Sequence, residues 1–255
     1  MGLEDNMQIN SNSTADALEN RSRQQKQNKK EEPLQASQFG ELQEDETEEL
    51  IEQACVLSKD QSGCRKLQKK LETGDQAVIT RIFEKILPNF GELMIDPFGN
   101  YLCQKVIETC SIEQVGIMIN NVTPYLISIC LNPHGTRAVQ KLIEVCADKD
   151  RMIEQVVNAL AGDVVVLVKD NNGNHVIQKC LISLSSQHRQ FIYDSIIESC
   201  LEVGTHKHGC CVIQRCLDSA SPEQKQALIQ VIVDNTLDLV RDQYGNYVVQ
   251  YVLDL

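Results

Sequence analysis

Apolar residues recur every three or four positions along most of the chain beyond about residue 44, with polar residues between them. The segments 153–168 and 228–240 show this spacing clearly, and it places apolar side chains on one side of an α-helix. The turn signal Ser221-Pro222-Glu223 precedes the second of these segments and predicts the start of a new helix. No segment alternates polar and apolar residues as a half-buried strand does, so the pattern predicts an all-α protein.

A nine-residue pattern built around a glycine returns six times along the chain. Its glycines are Gly63, Gly99, Gly135, Gly173, Gly209 and Gly245, separated by 36, 36, 38, 36 and 36 residues. A fixed period of this size indicates a solenoid of stacked repeats. Each repeat is predicted to hold two main helices and a short third. The Asp or Asn three places before the glycine can cap a helix in four or five copies.

The helix after each glycine has two chemically distinct sides. We number its residues from the one that follows the glycine. Since a helix turns about 100° per residue, positions 3, 4, 7 and 8 share one side and positions 1, 2 and 5 share the other. In the fifth copy the first set is Val212, Ile213, Cys216 and Leu217, all apolar. That side is therefore predicted to be core.

Positions 1, 2 and 5 together form what we call the reading face. Position 5 is glutamine in all six copies: Gln68, Gln104, Gln140, Gln178, Gln214 and Gln250. Position 2 holds mostly flat groups: Arg65, Tyr101, Arg137, His175, Cys211 and Tyr247. Position 1 alternates between small and amide side chains: Cys64, Asn100, Thr136, Asn174, Cys210 and Asn246. Planar amides suit a nucleobase edge and flat groups can stack between bases, so the pattern predicts contact with two alternating bases.

Position 6 adds basic residues beside this face: Lys69, Lys105, Lys141, Lys179 and Arg215. Such a row is often only solvated, but beside stacking groups we expect it to contact backbone phosphates. The formal net charge of -12 disfavours non-specific binding of nucleic acid. Residues 1–50 hold twelve acidic and five basic side chains, so the repeats themselves are only mildly acidic. Affinity is therefore expected to come mainly from base contacts and from this basic strip.

Residues 1–44 are rich in Asn, Gln, Ser, Glu and Lys and are predicted to form a disordered polar and acidic tail. The eleven cysteines contain no Cys-x-x-Cys pair, and some recur in phase, as Cys110 and Cys146 do. We expect them to be small apolar fillers of the core in a reducing compartment, without disulfides or a metal site.

No cofactor or metal is expected, and we interpret four histidines as structural: His134, His188, His206 and His208. No apolar run is long enough for a membrane helix, and the polar N-terminus gives no secretory signal or lipid-anchor motif. A cytoplasmic, monomeric protein is therefore expected, in which the Asn12-Ser13-Thr14 glycosylation triplet is unused.

The six segments resemble the repeats of the Pumilio (PUF) family over residues 45–255, with six of the usual eight repeats and the last one incomplete. The resemblance implies a curved right-handed α-solenoid of three-helix repeats, each of which reads one base of single-stranded RNA. In that family Asn with Gln at positions 1 and 5 reads uracil, and Cys, Ser or Thr with Gln reads adenine. Position 2 stacks on the bases, and the RNA runs antiparallel to the repeats. The implied element is 5′-UAUAUA-3′, within a longer UGU-containing element if two further repeats exist.

The resemblance also implies a role in the control of messenger RNA translation and decay through 3′ untranslated regions. Repression or deadenylation factors would then bind the convex face. Two features depart from the family pattern. Cys211 replaces the usual flat group, so its base should be held loosely, and the chain stops after the sixth reading helix, which leaves an apolar end uncapped.

A protein-binding α-solenoid scaffold is the alternative function class. Such a scaffold would share the core periodicity, but it has no reason to keep glutamine at one position six times beside flat residues. An enzyme is not expected, because no catalytic set of residues recurs or converges in the pattern.

Overall fold

The structure is a computed structural model that describes residues 44–255. The predicted tail, apart from Glu44, and the Asn12-Ser13-Thr14 triplet lie outside the described residues. Residues Asp45–Leu255 form one compact unit. Within it, every repeat consists of a first helix, a short helix and a third helix, so the predicted all-α repeat architecture is confirmed.

The three helices of each repeat follow one another in the same order from repeat 1 to repeat 6. The first helices are Glu44–Glu52, Gln76–Ile86, Ile112–Val122, Asp150–Leu160, Gln190–Glu198 and Pro222–Asp234. The short helices are Ala54–Leu57, Phe90–Met94, Leu126–Leu131, Val164–Lys169, Cys200–Gly204 and Thr236–Arg241. The third helices are Gln61–Glu72, Gly99–Thr109, Gly135–Cys146, Gly173–Ser183, Gly209–Ser219 and Gly245–Leu253. Short 3-10 turns join the first two helices in repeats 2, 3 and 4: Leu87–Asn89, Thr123–Tyr125 and Ala161–Asp163.

Side-chain caps begin the third helices, as the sequence predicts. In repeat 2 the Oδ1 atom of Asp96 accepts hydrogen bonds from the backbone N–H groups of Phe98 and Gly99, at 2.8 and 2.7 Å. Equivalent caps come from four other residues: Asp60, Asn132, Asp170 and Asp242. These bonds satisfy N–H groups that have no partner inside the helix.

Five of the six third helices start with the repeated glycine, and in repeat 1 Gly63 is the third residue of the helix, because the short helix lies too close for a side chain at this position. At Gly209 an added Cβ would lie 2.0 Å from the carbonyl oxygen of Val203, and at Gly135 it would lie 2.4 Å from that of Ile129. These distances are far below van der Waals contact. The repeated glycine therefore fixes the sharp turn between the short helix and the third helix.

The side of the third helix predicted to be core is buried between adjacent repeats. In repeat 5 Val212, Ile213, Cys216 and Leu217 are all at most 1% exposed. Third helices pack against the third helices of neighbouring repeats, and the substantial helix contacts among the described residues join helices of the same repeat or of adjacent ones. The core is consequently a continuous apolar layer built from nearest-neighbour contacts.

Hydrogen bonds between polar side chains join neighbouring first helices. Gln114 donates to Thr80 over 3.2 Å, and Gln224 donates to Oε1 of Gln190 over 2.8 Å. Both bonds span 34 residues, so they connect equivalent regions of consecutive repeats.

The two extra residues between repeats 4 and 5 lie in the loop 184–189. Leu184 is buried in this loop, and Arg189 donates to the carbonyl oxygen of Leu181 over 2.9 Å. Third helices of repeats 4 and 5 still pack directly on each other. The insertion therefore does not interrupt the stacking of the third helices.

One stretch of the described residues is long and apolar enough to cross a membrane, judged by length and composition alone. It is Ile112–Leu131, 20 residues with a mean hydropathy of 1.3. It is divided into the first helix, a 3-10 turn and the short helix of repeat 3. Met118, Ile119 and Val122 are fully buried there, so its apolar character belongs to the core of that repeat.

Candidate nucleic-acid interface

The stacked third helices bring the reading face together as an array of equivalent positions. Position 1 side chains lie deepest: Asn100 is 2% exposed, and its counterparts in repeats 1, 3, 4 and 5 are also buried. Glutamines at position 5 are partly exposed above them, and position 2 side chains are exposed. The amide edges of the glutamines and the side chains of position 2 therefore face the solvent. The position 1 side chains lie below them and form what we call the floor of the array.

In the three repeats with Asn at position 1, the glutamine is hydrogen-bonded to that asparagine. Nε2 of Gln104 donates to Oδ1 of Asn100 over 3.1 Å. Gln178 and Gln250 make the same bond to Asn174 and Asn246, over 2.7 and 3.0 Å. Residues four apart lie on the same side of a helix, which makes this bond possible.

The asparagine amide is itself oriented by the residue that caps the helix. Nδ2 of Asn100 donates to the carbonyl oxygen of Asp96 over 2.8 Å, and Asn174 donates to that of Asp170 over 2.7 Å. This bond turns Oδ1 towards the glutamine. The glutamine then keeps its own Oε1 for a ligand in all three repeats. Gln178 and Gln250 also keep a second N–H, whereas Nε2 of Gln104 donates to the carbonyl oxygen of Asn100 as well.

In repeats 1 and 3 the small residue at position 1 bonds to the next repeat instead. The Cys64 thiol donates to the carbonyl oxygen of Phe98 over 3.2 Å, and the Thr136 hydroxyl donates to that of Asn172 over the same distance. Gln68 and Gln140 still donate to Cys64 and Thr136, over 3.0 and 3.4 Å. Both kinds of repeat therefore present a glutamine whose amide nitrogen is anchored, above a floor of different size.

Repeat 5 departs from both patterns. Gln214 donates to the carbonyl oxygen of Tyr247 over 3.4 Å rather than to its own position 1. The Sγ atoms of Cys210 and Cys211 are 4.0 Å apart. A hydrogen bond from the Cys210 thiol lowers the pKa of Cys211, burial opposes this shift, and the positive charge of Arg215 supports it. Cys211 is thus an exposed, acidic thiol where other repeats place flat or cationic side chains.

Position 2 side chains stand beside the glutamines and reach into solvent. Tyr101 is 58% exposed and Tyr247 is 54% exposed, although both carry large apolar rings. Arg65, Arg137 and His175 are exposed at the same position in their repeats. Exposed flat groups at regular spacing are suited to stacking on successive bases.

Three of the basic residues at position 6 form ion pairs that cross from one repeat to the next. Lys105 lies 3.3 Å from Glu72, Lys141 lies 2.7 Å from Glu108, and Lys179 lies 2.7 Å from Glu144. Lys141 also pairs with Glu144 in its own helix, at 3.3 Å. We call this set the ion-pair ladder: Glu72, Lys105, Glu108, Lys141, Glu144 and Lys179. Three of the five predicted phosphate-binding residues are therefore already paired with carboxylates.

The glutamates of the ladder are neighbours of the candidate site that the sequence reasoning missed. Glu72, Glu108 and Glu144 occupy position 9 and recur with the 36-residue period, so the signal was present in the repeats. The backbone carbonyl oxygens shortly before each glycine, which accept hydrogen bonds from position 1 side chains, were also missed. Every residue has such an oxygen, so no particular side chain in the sequence marks it.

Three of the four histidines interpreted as structural make side-chain contacts with other residues. In repeat 5, which lacks an Asp or Asn cap, Nδ1 of His206 accepts from the backbone N–H of His208 over 3.3 Å. His208 contacts Oδ1 of Asn171 at 2.9 Å, and His188 contacts Ser185 at 3.2 Å. His134 lies directly before the third helix of repeat 3. Within residues 44–255, His, Cys, Asp and Glu form no group of three or more that could hold a metal ion.

Most of the cysteines fill the core, as predicted. Cys103, Cys130, Cys146, Cys180 and Cys216 are fully buried. Burial raises the pKa of Cys180 to about 12, which keeps its thiol protonated. Cys110, in phase with Cys146, is only half-buried, and Cys211 is exposed.

The sequence matches the repeats of a known protein family. The model of the Pumilio-family RNA binding repeat matches six segments: 53–87, 89–123, 125–155, 163–197, 199–233 and 235–255. The first five segments combine the short and third helices of one repeat with all or part of the first helix of the next, and the last segment holds the short and third helices of repeat 6.

Similar proteins carry the same repeats. A Pumilio domain-containing protein of Schizosaccharomyces pombe is 52% identical over 163 residues, which cover 63% of this chain and 24% of that protein. Pumilio homolog 12 of Arabidopsis thaliana is 44% identical over 61% of this chain and 26% of its own length. The matched part thus spans about a quarter of each of these relatives.

Solved structures give the same result. The Puf4 RNA binding domain, bound to a 3′ UTR recognition sequence, is 46% identical with a TM-score of 0.75, and the match covers 80% of this chain and 62% of that one. The RNA-binding domain of yeast Puf5p, bound to SMX2 RNA, is 39% identical with a TM-score of 0.76 over 81% of this chain and 59% of that one. Since the repeat model matches most of the sequence and all six structural repeats, the chain belongs to the Pumilio (PUF) family of RNA-binding repeat proteins.

Proposed function

We propose that residues 45–255 bind single-stranded RNA in a sequence-specific manner, with one base at each repeat. The observation that carries this proposal is the array of anchored glutamines, whose Oε1 atoms and remaining N–H groups can meet a base edge. The related Puf4 and Puf5p domains are bound to RNA in their structures. Membership of this family of RNA-binding repeats also agrees with the expectation that the chain is not an enzyme.

We attribute the preference for two alternating bases to the size of the side chain at position 1. A glutamine edge with one donor and one acceptor matches the N3–H and a carbonyl of uracil, and it also matches the N6 amino group and N1 of adenine. Glutamine alone therefore separates these two bases poorly. The larger asparagine side chain at position 1 leaves room for a pyrimidine, which is the smaller base. The smaller Cys or Thr side chain leaves room for a purine.

The proposed element is 5′-UAUAUA-3′, because the RNA of this family runs antiparallel to the repeats. Its first base lies at Asn246 and Gln250, and its last base lies at Cys64 and Gln68. Position 2 side chains stack between the bases, and position 6 side chains contact the phosphates. We further propose that the protein acts in the cytoplasm on 3′ untranslated regions of messenger RNAs, in line with the recognition sequence bound by Puf4.

The test is a titration of labelled UAUAUA-containing RNA beside a scrambled oligonucleotide of the same composition. We expect the first to bind much more tightly. Gln178→Ala should weaken its binding about tenfold, since one base contact is worth ~1–3 kcal/mol. Gln226→Ala, an exposed glutamine of the first helix in repeat 6, is the matched control and should have no effect. Equal binding of the two RNAs would contradict sequence-specific recognition.

Selection from randomised RNA provides an independent measurement of the preferred sequence. Recovery of alternating U and A supports the assignment of position 1, and recovery of an unrelated motif rejects it. The alternative function, a protein-binding scaffold, predicts that no RNA is enriched at all.

A further inference from the structure

The ion-pair ladder contributes little net positive charge beside the reading face. Its three lysines and three glutamates cancel, and its lysine side chains are only 21–26% exposed. Hydrogen bonding to Glu108 raises the pKa of Lys141, and hydrogen bonds from Lys179 and Lys141 lower the pKa of Glu144. A lysine that contacted a phosphate instead would give up its own ion pair with a glutamate that stays close to the RNA. The electrostatic gain from such an exchange is therefore small.

The ladder stops between repeats 4 and 5. Position 9 of repeat 4 is Ile182, which is 72% exposed, where the three preceding repeats have glutamate. Position 9 of repeat 5 is Asp218, but its Oδ1 atom accepts a hydrogen bond from the hydroxyl group of Tyr251. Among the described residues Arg215 consequently has no carboxylate within ion-pair distance, in contrast to its counterparts Lys105, Lys141 and Lys179.

We propose that the gap at Ile182 makes Arg215 the principal phosphate-binding side chain of the position 6 row. This inference rests on the proposed RNA binding and narrows it, because it assigns different roles to residues that the sequence pattern treats alike. Arg215 lies one helical turn beyond Cys211 and one residue beyond Gln214, so it borders the base site of repeat 5.

Two features of repeat 5 make a phosphate contact important there. Cys211 lacks the flat surface that position 2 provides for stacking in other repeats, so stacking stabilises the base bound at repeat 5 less. Gln214 is not anchored to its own position 1 but donates to the backbone of repeat 6. A guanidinium group can hold a phosphate with two parallel hydrogen bonds, which fixes the strand where the base is held less firmly.

The salt dependence of RNA binding measures this contact directly. For single strands each neutralised phosphate contributes a slope of about 0.7 to the plot of log affinity against log salt. Arg215→Met should lower the slope by about 0.7 and weaken binding to UAUAUA-containing RNA roughly tenfold at low salt. Lys179→Met removes the same charge but leaves Glu144 paired with Lys141, so its effect on the slope should be clearly smaller.

The second test introduces the missing carboxylate at position 9 of repeat 4. Ile182→Glu should supply Arg215 with the carboxylate that the other repeats have, and it should reduce the salt slope and the affinity about as much as Arg215→Met does. Ile182→Gln is the uncharged control and should bind like the original protein. In the Arg215→Met background Ile182→Glu should have little further effect, which a double-mutant cycle would measure as coupling.

Two results would overturn the proposal: equal changes in slope for Arg215→Met and Lys179→Met, or an unchanged slope in Ile182→Glu. Thermal melting of each variant shows whether the repeats remain folded, and the exposed side chains of Ile182 and Arg215 make loss of folding unexpected. Failure of the proposed RNA binding is distinguishable, because the unmodified protein would then not prefer UAUAUA-containing RNA to the scrambled sequence.

Discussion

Gln178 donates a hydrogen bond from Nε2 to Oδ1 of Asn174 over 2.7 Å. The bond fixes which edge of the glutamine faces a ligand, so a base that binds in repeat 4 meets a prepared donor and acceptor. The pair reads the third base of UAUAUA in the proposed registration.

Changing this pair should change the preferred base. Guanine offers two donors on its pairing edge, which a carboxylate can accept together. Asn174→Ser with Gln178→Glu should therefore move the preference from UAUAUA to UAGAUA and cost ~1–3 kcal/mol on the original RNA. His175 remains in place for stacking, so affinity for UAGAUA should approach that of the original pair. Competition binding measures both RNAs.

The same double change in repeat 2, Asn100→Ser with Gln104→Glu, is the control for registration. It should select UAUAGA instead. If both double variants weaken all three RNAs equally, the glutamines do not read bases in this order.

A flat group at Cys211 should strengthen binding. Cys211→Tyr gives repeat 5 a ring like those of Tyr101 and Tyr247, and base stacking on such rings is worth ~1–3 kcal/mol. We expect tighter binding of UAUAUA-containing RNA, and Tyr101→Ala should weaken it by a similar amount. Titrations of both variants at one salt concentration test this, and weaker binding by Cys211→Tyr would show that repeat 5 does not accept a stacked base.

The thiol of Cys211 should react with alkylating reagents at lower pH than an ordinary cysteine. Its pKa is lowered by the hydrogen bond from Cys210, and a lower pKa means more of the reactive thiolate at any given pH below the usual cysteine value. Buried cysteines such as Cys180 have raised pKa values and should stay unmodified while the protein is folded. Mass spectrometry of iodoacetamide adducts across a pH series measures the order of reaction.

Cys210→Ala is the control for this reaction. It removes the donor, so the pKa of Cys211 should rise and its alkylation should shift to higher pH. An unchanged pH profile would show that Cys210 does not control this thiol.

The close approach at Gly209 should make that position intolerant of a side chain. An added Cβ at 2.0 Å from the carbonyl oxygen of Val203 requires the short and third helices to move apart, so Gly209→Ala should destabilise the protein by ~1–3 kcal/mol. Gly162→Ala is the matched control, since nothing lies within 4 Å of its Cβ. Chemical denaturation of both variants gives the comparison, and equal stability would exclude steric packing as the reason for the glycine.

Much of the fold could be predicted because the same residues recur in the same phase. Positions 3, 4, 7 and 8 are apolar wherever a neighbouring repeat covers them, so the core side of the third helix follows from the spacing alone. In repeat 1, the first of the described repeats, two of these positions are polar. Lys66 and Lys70 occupy positions 3 and 7 there, and neither is fully buried.

The site was less predictable where it depends on contacts between helices. The angle of position 6 placed its lysines beside the reading face, but it contains no information about the carboxylates of the preceding repeat that pair with them. Likewise, helical geometry put Asn100 on the reading face, while its burial results from packing between repeats. His206 acts as a cap although no propensity favours histidine there, because its ring nitrogen can accept the bond that Asp or Asn accepts elsewhere.

Contacts restricted to nearest neighbours have a dynamic consequence. Opening one repeat breaks contacts only with the repeats beside it, so amide hydrogens in different repeats can exchange with solvent through separate local openings. A strand that crosses several repeats at once would couple these openings, because each one would also have to release a base. Hydrogen exchange rates that differ among the six repeats in the free protein should therefore become slower and more alike when RNA is bound.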